Sequence, residues 1–308
     1  MPNAPAQKSC EAESAVPIGP KPATNAMSIA PANRGPPTSA SARVGGGRYR
    51  VPGGVHMELQ GGTAIVTGAG GGLGRALAEG FARAGLDIVI ADVDAEGARA
   101  TARLVRASGV SARTVVGDVR RPSDAARIIT AAEAGDSPDA DGGPLVLVNN
   151  AGGWSPDAQY PEAPPDEWAA TLDLDLHAPM LLTQLALPSM RRRGAGAVIN
   201  IASSAALGDS AYGSPEYAAA KAGLIRFTTA SRGLGTAHGV RVMCIVPGWI
   251  GLDRAVAEWS SLSADERAAV PPLIPPADVA ELALTLARSG HAGAVVELRG
   301  GRPPIERA

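Results

Sequence analysis

Apolar and polar positions alternate along the chain in two rhythms. From residue 63 on, short continuous apolar runs are followed by longer stretches with apolar residues three and four apart. The runs TAIVT (63–67), LDIVIA (86–91), RTVVGDV (113–119), PLVLVNNAG (144–152), AVINIAS (197–203), VRVMCIVPG (240–248) and AVVEL (294–298) predict seven strands. Between them the spacing predicts helices. The first carries Leu73, Leu77 and Phe81 on one face and closes at Gly85, and the second runs to about Gly109. Others are predicted near 123–134, 166–190, 215–238 and 277–289. Such alternation builds crossover units on a parallel sheet, and unbroken apolar strands mean that helices cover both faces. The prediction is α/β: a single doubly wound Rossmann domain on a seven-stranded parallel sheet, spanning residues 57–308. Ligands of such sheets bind beyond the carboxyl ends of the strands.

Residues 1–56 break the pattern. They hold 16 Gly or Pro, no Phe or Trp, six Lys/Arg and two Glu. A segment this poor in apolar side chains cannot offset its ordering entropy, so it is expected to be a disordered extension. It has no apolar core of a secretory signal. MELQGGTAIVTG, beginning at Met57, reads as a natural start.

Net charge is −2, which gives no reason to expect nucleic acid or an anionic membrane as partner. No apolar run is long enough to span a bilayer. Two cysteines, Cys10 and Cys244, make no disulfide framework and fit a reducing compartment, so a cytoplasmic location is expected. The four histidines are scattered and no CxxC occurs, so no metal site is expected.

Candidate chemistry sits just after the strands. TGAGGGLG (67–74) joins the first strand to the first helix. Its glycines would let backbone N–H groups approach a pyrophosphate at a helix N-terminus. The spacing fits TGxxxGxG through Thr67, Gly68, Gly72 and Gly74, with Leu73 between the last two. Asp92, 24 residues after Gly68, ends the second strand. A carboxylate there can accept from ribose hydroxyls and repels a 2′-phosphate; capping of the next helix is the structural alternative. No Arg or Lys precedes Gly72 in the turn or follows Asp92, which selects NAD over NADP.

TGxxxGxG, GDV (117–119), NNAG (149–152), a serine 13 residues before Tyr217, YAAAK (217–221) and the PG pair (247–248), in this order, resemble the short-chain dehydrogenase/reductase family over residues 57–301. The resemblance implies that Asp118 and Val119 border the adenine. It places Asn150 and Gly152 along the cofactor, with Pro247, Gly248 and Ile250 beside the nicotinamide. It also implies a homodimer or homotetramer.

Lys221 is the one lysine after residue 21. Tyr217 and Lys221 lie four apart on one predicted helix and so share a face. A free phenol titrates near ~10, and a neighbouring cation favours the phenolate. A compact ammonium suits that task better than a planar guanidinium. Tyr217 is therefore the expected general acid/base and Ser204 the expected hydrogen-bond donor to the substrate oxygen. Spacing to Tyr217 favours Ser204 over Ser203, and Glu216, four after Tyr212, disfavours Tyr212 as the acid. Two residues depart from the family pattern: Asp175 stands where a catalytic Asn is common and is expected with Ser204, Tyr217 and Lys221 in the catalytic set, and Leu252 stands where a Thr is common. The reaction expected is NAD-dependent interconversion of a secondary alcohol and a ketone. Trp154, Trp249 and Trp259 around the mouth suggest a bulky, largely apolar substrate. The alternatives are reduction of a 3-oxoacyl thioester and a catalytically silent dinucleotide-binding protein.

Overall fold

The computed structural model describes residues 56–133, 145–153, 159–208 and 212–307. The expected N-terminal extension, apart from His56, and Trp154 lie outside them. In chain order the elements are β1 (Thr63–Thr67), α1 (Gly72–Arg83), β2 (Asp87–Asp92), α2 (Ala95–Arg106), β3 (Ala112–Val116), α3 (Pro122–Glu133) and β4 (Leu145–Asn149). Then come α4 (Pro165–Leu172), a π-turn (Asp173–His177), α5 (Ala178–Arg192), β5 (Gly196–Ile201), a 3₁₀ turn (Ser204–Ala206) and α6 (Pro215–Ala230). The chain closes with α7 (Gly233–His238), β6 (Val240–Pro247), α8 (Asp253–Ser261), α9 (Ala264–Ala269), α10 (Pro276–Ser289), β7 (Val295–Leu298) and β8 (Ile305–Glu306).

The sheet order is β3-β2-β1-β4-β5-β6-β7-β8, parallel except for the last pair. The doubly wound class is as predicted, with one strand more than the seven expected. Two-residue β8 escaped detection because RPPIERA has no apolar run; it hangs antiparallel on the edge of β7 through Val296 and Glu297. Paired Arg299 and Arg307 at the buried Glu297 carboxylate tie it down.

Strand side chains divide between the two faces, as the pleat demands. Ala64, Val66, Ile88, Ile90, Val146 and Val148 pack in one core layer with α1, α2 and α10. Ile65, Val89, Ala91, Leu145, Leu147 and Val198 pack in the other with α3 and α5. β3 is half exposed because it is the free edge. Phe81 is fully buried in the first layer; removing such a ring costs roughly 3–5 kcal/mol.

Two expected helices are divided. The stretch 166–190 is broken by the π-turn, and 215–238 splits into α6 and α7 around Ser231 and Arg232. Helices α8 and α9 were not anticipated, since 253–269 is polar and short of apolar periodicity. A buried polar ladder fixes α6 against the sheet. Asn149 of β4 donates to Asn200 of β5 at 2.8 Å, and Asn200 donates to the Thr228 hydroxyl of α6 at 2.9 Å. That ladder sets where the N-terminal turns of α6, with Tyr217 and Lys221, meet the ends of β4 and β5.

Candidate active site

β1 pairs with both β2 and β4, so the chain turns away in opposite directions beyond their carboxyl ends. A cleft of about 450 Å³ opens there. The glycine loop forms one wall through Gly68, Gly71, Gly72, Leu73 and Gly74. Its shape is dictated by close approach. Gly68 has φ +62°, and a Cβ on it would lie 2.9 Å from Cα of Ala151; a Cβ on Gly74 would lie 2.0 Å from the Gly68 carbonyl oxygen. Asn150 closes the loop from the other side. Its amide donates to the carbonyls of Thr67 at 2.9 Å and Gly68 at 3.3 Å. The Thr67 hydroxyl accepts from the N–H groups of both Asn150 and Ala151 at 3.0 Å. The role of Asn150 as a clamp is invisible in the motif, because its partners are 82 and 83 residues away.

Asp92 sits at the end of β2, where its Oδ2 accepts from the Gly70 N–H at 2.6 Å and its Oδ1 from the Asp94 N–H at 2.9 Å. It does not cap α2; Asp94 does, accepting from the Glu96 N–H. Gly97 lets α2 approach, since a Cβ there would meet the Gly70 carbonyl oxygen at 2.6 Å. Val93, the next residue, is 69% exposed and carries no charge toward an incoming phosphate. Asp118 and Val119 follow β3 beside Asp92, with the Gly117 N–H donating to the Asp92 carbonyl. The Asp118 carboxyl is held below its usual range by the Arg120 guanidinium at 2.7 Å. Val119 is buried in the core beneath. Neither lines the central cleft.

The opposite wall belongs to α6. Tyr217 and Lys221 both line the cleft, and Lys221 Nζ is 5.6 Å from the centre of the Tyr217 ring. Nζ donates to the Ile201 carbonyl at 3.0 Å and pairs with Asp175 Oδ1 at 2.9 Å. Lys221 is 4% exposed and Asp175 fully buried. The π-turn places the carboxylate there, and Asp175 Oδ1 also accepts from the Gly153 N–H at 3.0 Å. Burial opposes the ammonium of Lys221, yet Asp175 and Tyr217 together hold its pKa above the usual lysine value. Burial pushes Asp175 up, and the lysine and the Gly153 N–H pull it back only in part. Gly152 makes room for the pair: a Cβ on it would lie 2.4 Å from Asp175 Oδ1 and 3.0 Å from Lys221 Nζ.

One expected assignment is displaced. Ser203, not Ser204, lines the cleft. Ser204 opens the 3₁₀ turn and is exposed, while the Ser203 hydroxyl accepts from the Ala205 N–H at 3.2 Å. Counting 13 residues back from Tyr217 assumed a fixed loop length. What faces the cleft is set instead by distance from the end of β5, and Ser203 is two residues past Ile201.

The third side follows β6. Pro247, Gly248, Trp249, Ile250, Leu252 and Arg254 line it. The turn is pinned from below, with the Gly248 N–H donating to the Leu298 carbonyl and the Ile274 N–H to the Trp249 carbonyl, each at 2.8 Å. Leu252 leans over Gly72, its methyl groups within 3.7 Å of where a Cβ would stand. Trp249 and Trp259 meet edge to face at 5.9 Å, and Tyr212 stacks on Tyr217 at 6.2 Å. Glu216 braces this rim: it accepts from the Ser214 hydroxyl at 2.6 Å and from the Tyr160 N–H at 3.3 Å. Sequence reasoning used Glu216 only to dismiss Tyr212 and missed its bracing role. Cys244 is buried and its thiol is pushed up to about 12, so it is no nucleophile.

The glycine cradle, with no room for side chains at Gly68 and Gly74, fits a nicotinamide dinucleotide. Comparison with known proteins agrees. Residues 62–261 match the short chain dehydrogenase family model. An uncharacterized oxidoreductase of Thermotoga maritima is 31% identical over 245 residues, 76% of this chain and 91% of the relative. Cis-4-hydroxycyclohexanecarboxylate dehydrogenase of Sinomonas cyclohexanicum is 34% identical over 249 residues, 77% of this chain and 95% of the relative. L-sorbose reductase from Gluconobacter frateurii, solved with NADPH and L-sorbose, superposes with a TM-score of 0.69 at 27% identity, covering 80% of this chain and 98% of that one.

Proposed function

The chain belongs to the short-chain dehydrogenase family, and from that premise we propose that it interconverts a secondary alcohol and a ketone, with NAD preferred over NADP. One observation carries the reading: Tyr217 and Lys221 share a cleft with the glycine cradle, and Asp92 accepts from the Gly70 N–H at the cradle's far end. When bound, the dinucleotide supplies or accepts the hydride. Gly68, Gly72, Leu73 and Gly74 hold its phosphates, and Asp92 its ribose; Asp118 and Val119 flank the adenine. Asn150, Gly152, Pro247, Gly248 and Ile250 line its course. In reduction Tyr217 gives its phenolic proton to the carbonyl oxygen, and in oxidation the phenolate takes the alcohol proton. Ser203 donates a hydrogen bond to the same oxygen. The ammonium of Lys221 favours the phenolate. Asp175 touches no reacting atom; it acts through Lys221 as a positioning residue.

The sorbose reductase was solved with NADPH, so both reduced cofactors are titrated against the protein. The cyclohexanecarboxylate dehydrogenase relative supports a cyclic alcohol as the first substrate to try. The test is NADH oxidation, followed by absorbance, across a panel of cyclic, aryl and small polar ketones. Tyr217→Phe keeps NADH affinity and loses roughly 10²–10⁴-fold in kcat, the usual share of acid–base catalysis. Wild-type turnover by that variant would refute the assignment.

A further inference from the structure

Three residues outside the cleft converge on one backbone carbonyl of the glycine loop. Gly97 stands in the first turn of α2, and a Cβ there would lie 2.6 Å from the Gly70 carbonyl oxygen. Thr101, one turn further along α2, is fully buried. Its hydroxyl accepts from Arg75 Nε of α1 at 3.0 Å, and Arg75 Nη2 donates to that same Gly70 carbonyl at 2.6 Å. On its other side the Gly70 N–H donates to Asp92 Oδ2 at 2.6 Å. Gly70 is therefore gripped at both ends by charge-assisted bonds, a carboxylate at its N–H and a guanidinium at its carbonyl. Among the described residues, Arg75 and Thr101 do not line the cleft, whereas Gly71 does. The Gly70–Gly71 peptide is trans, and in a trans peptide the C=O and N–H point opposite ways. Holding the Gly70 carbonyl toward α2 turns the Gly71 N–H toward the cleft.

We infer that Arg75 is a positioning residue for the cofactor: braced on Thr101, it fixes the Gly70–Gly71 peptide so that the Gly71 N–H faces the pyrophosphate of the dinucleotide. The inference rests on the dinucleotide reading of the cradle and adds to it a residue that acts from behind the loop. Without the guanidinium the Gly70 carbonyl loses its cationic partner, and the peptide is free to rotate. Rotation brings a carbonyl oxygen round to an anion and takes a donor away from it. The bonds run through Thr101, 26 residues from Arg75, so the glycine motif alone gives no sign of the role.

Titration calorimetry of the full chain with NADH, NADPH, ADP-ribose and adenosine tests the inference without turnover. Arg75→Met keeps the length of the side chain and loses its donors. It raises the Kd of NADH, NADPH and ADP-ribose by a common factor of roughly ten, the usual worth of a hydrogen bond to a charged group. Adenosine has no pyrophosphate, and its Kd stays within about twofold. Arg75→Lys, which keeps a donor for the carbonyl, loses less. Thr101→Val removes only the brace and raises the NADH Kd about threefold. Added to Arg75→Met it has little further effect, because both act through one chain of bonds. If Arg75→Met does not fold, Thr101→Val carries the same comparison. Three results overturn the inference: an NADH Kd unmoved in the folded variant, a loss confined to NADPH, which would make Arg75 a reader of the 2′-phosphate, or adenosine weakened as much as ADP-ribose, which would mean a general loosening of the cleft. In each, NADH binding by wild type leaves the cofactor reading standing. Absence of binding of either dinucleotide to wild type sinks both.

Discussion

Replacing Asp175 by Asn removes one negative charge from beside Lys221 while keeping an oxygen for the Gly153 N–H. Nζ lies 2.9 Å from Oδ1 and 5.6 Å from the centre of the Tyr217 ring. Adding those distances puts the carboxylate oxygen within about 8.5 Å of the ring centre. At an effective dielectric of about 20, a carboxylate that far from a phenolate opposes it by about 2 kcal/mol. Oxidation needs the phenolate, so the rising limb of its pH–rate profile moves about 1.5 pH units toward acid in Asp175→Asn. The alkaline limb moves the same way. Asp175, with Tyr217, holds the Lys221 ammonium above its usual value against burial. Without Asp175 the larger of those two supports is gone, the lysine loses its proton at lower pH, and support for the phenolate ends sooner. Both limbs therefore shift toward acid. The variant also leaves a buried cation without its counter-charge, at a cost of about 3 kcal/mol or somewhat less, so its Tm falls by roughly 5–10 °C at neutral pH. The assay is NADH formation from a saturating alcohol at saturating NAD between pH 6 and 11. A profile that stays put, or moves toward alkali, would falsify the electrostatic account, even if the Tm falls as described.

Three other outcomes follow from the geometry. Titration of the protein with each reduced cofactor gives tighter binding of NADH than NADPH, and Asp92→Asn, which keeps an acceptor for the Gly70 N–H, narrows the gap by about tenfold, as a partly screened charge would; tighter NADPH binding by wild type contradicts the reading of Asp92. Ser203→Ala lowers kcat by roughly 10²–10³-fold, as loss of one hydrogen-bond donor at a reacting oxygen does, whereas Ser204→Ala stays within about twofold; the reverse order would restore Ser204. A chain beginning at Met57, whose N–H donates to the Arg288 carbonyl at 2.7 Å, keeps the Tm of the full chain within about 2 °C, and a larger drop in calorimetry would mean that residues 1–56 pack on the fold.

The strands and the cofactor-side motifs were legible because local rules fix them. Both-face burial makes a strand continuously apolar, and where a Cβ would come within 3 Å of neighbouring backbone, as at Gly68 and Gly74, only glycine fits whatever the rest of the chain does. What stayed hidden depends on residues far apart in sequence. The Ser203–Ser204 choice turned on how the chain leaves β5, which a count from Tyr217 cannot see. Asp175 could be flagged as a departure, but its pairing with Lys221 required the π-turn, and no residue in LDLDLHAP announces a π-turn. Gly152 illustrates the difference most directly. The NNAG motif assigns it to the cofactor, and it does line the cleft. Its position is equally dictated from behind, because any Cβ there would collide with the Asp175–Lys221 pair. A side chain at 152 would therefore disturb the lysine before it disturbed the cofactor. The glycine that resembles a binding residue is at the same time a condition for the buried charge pair behind Tyr217.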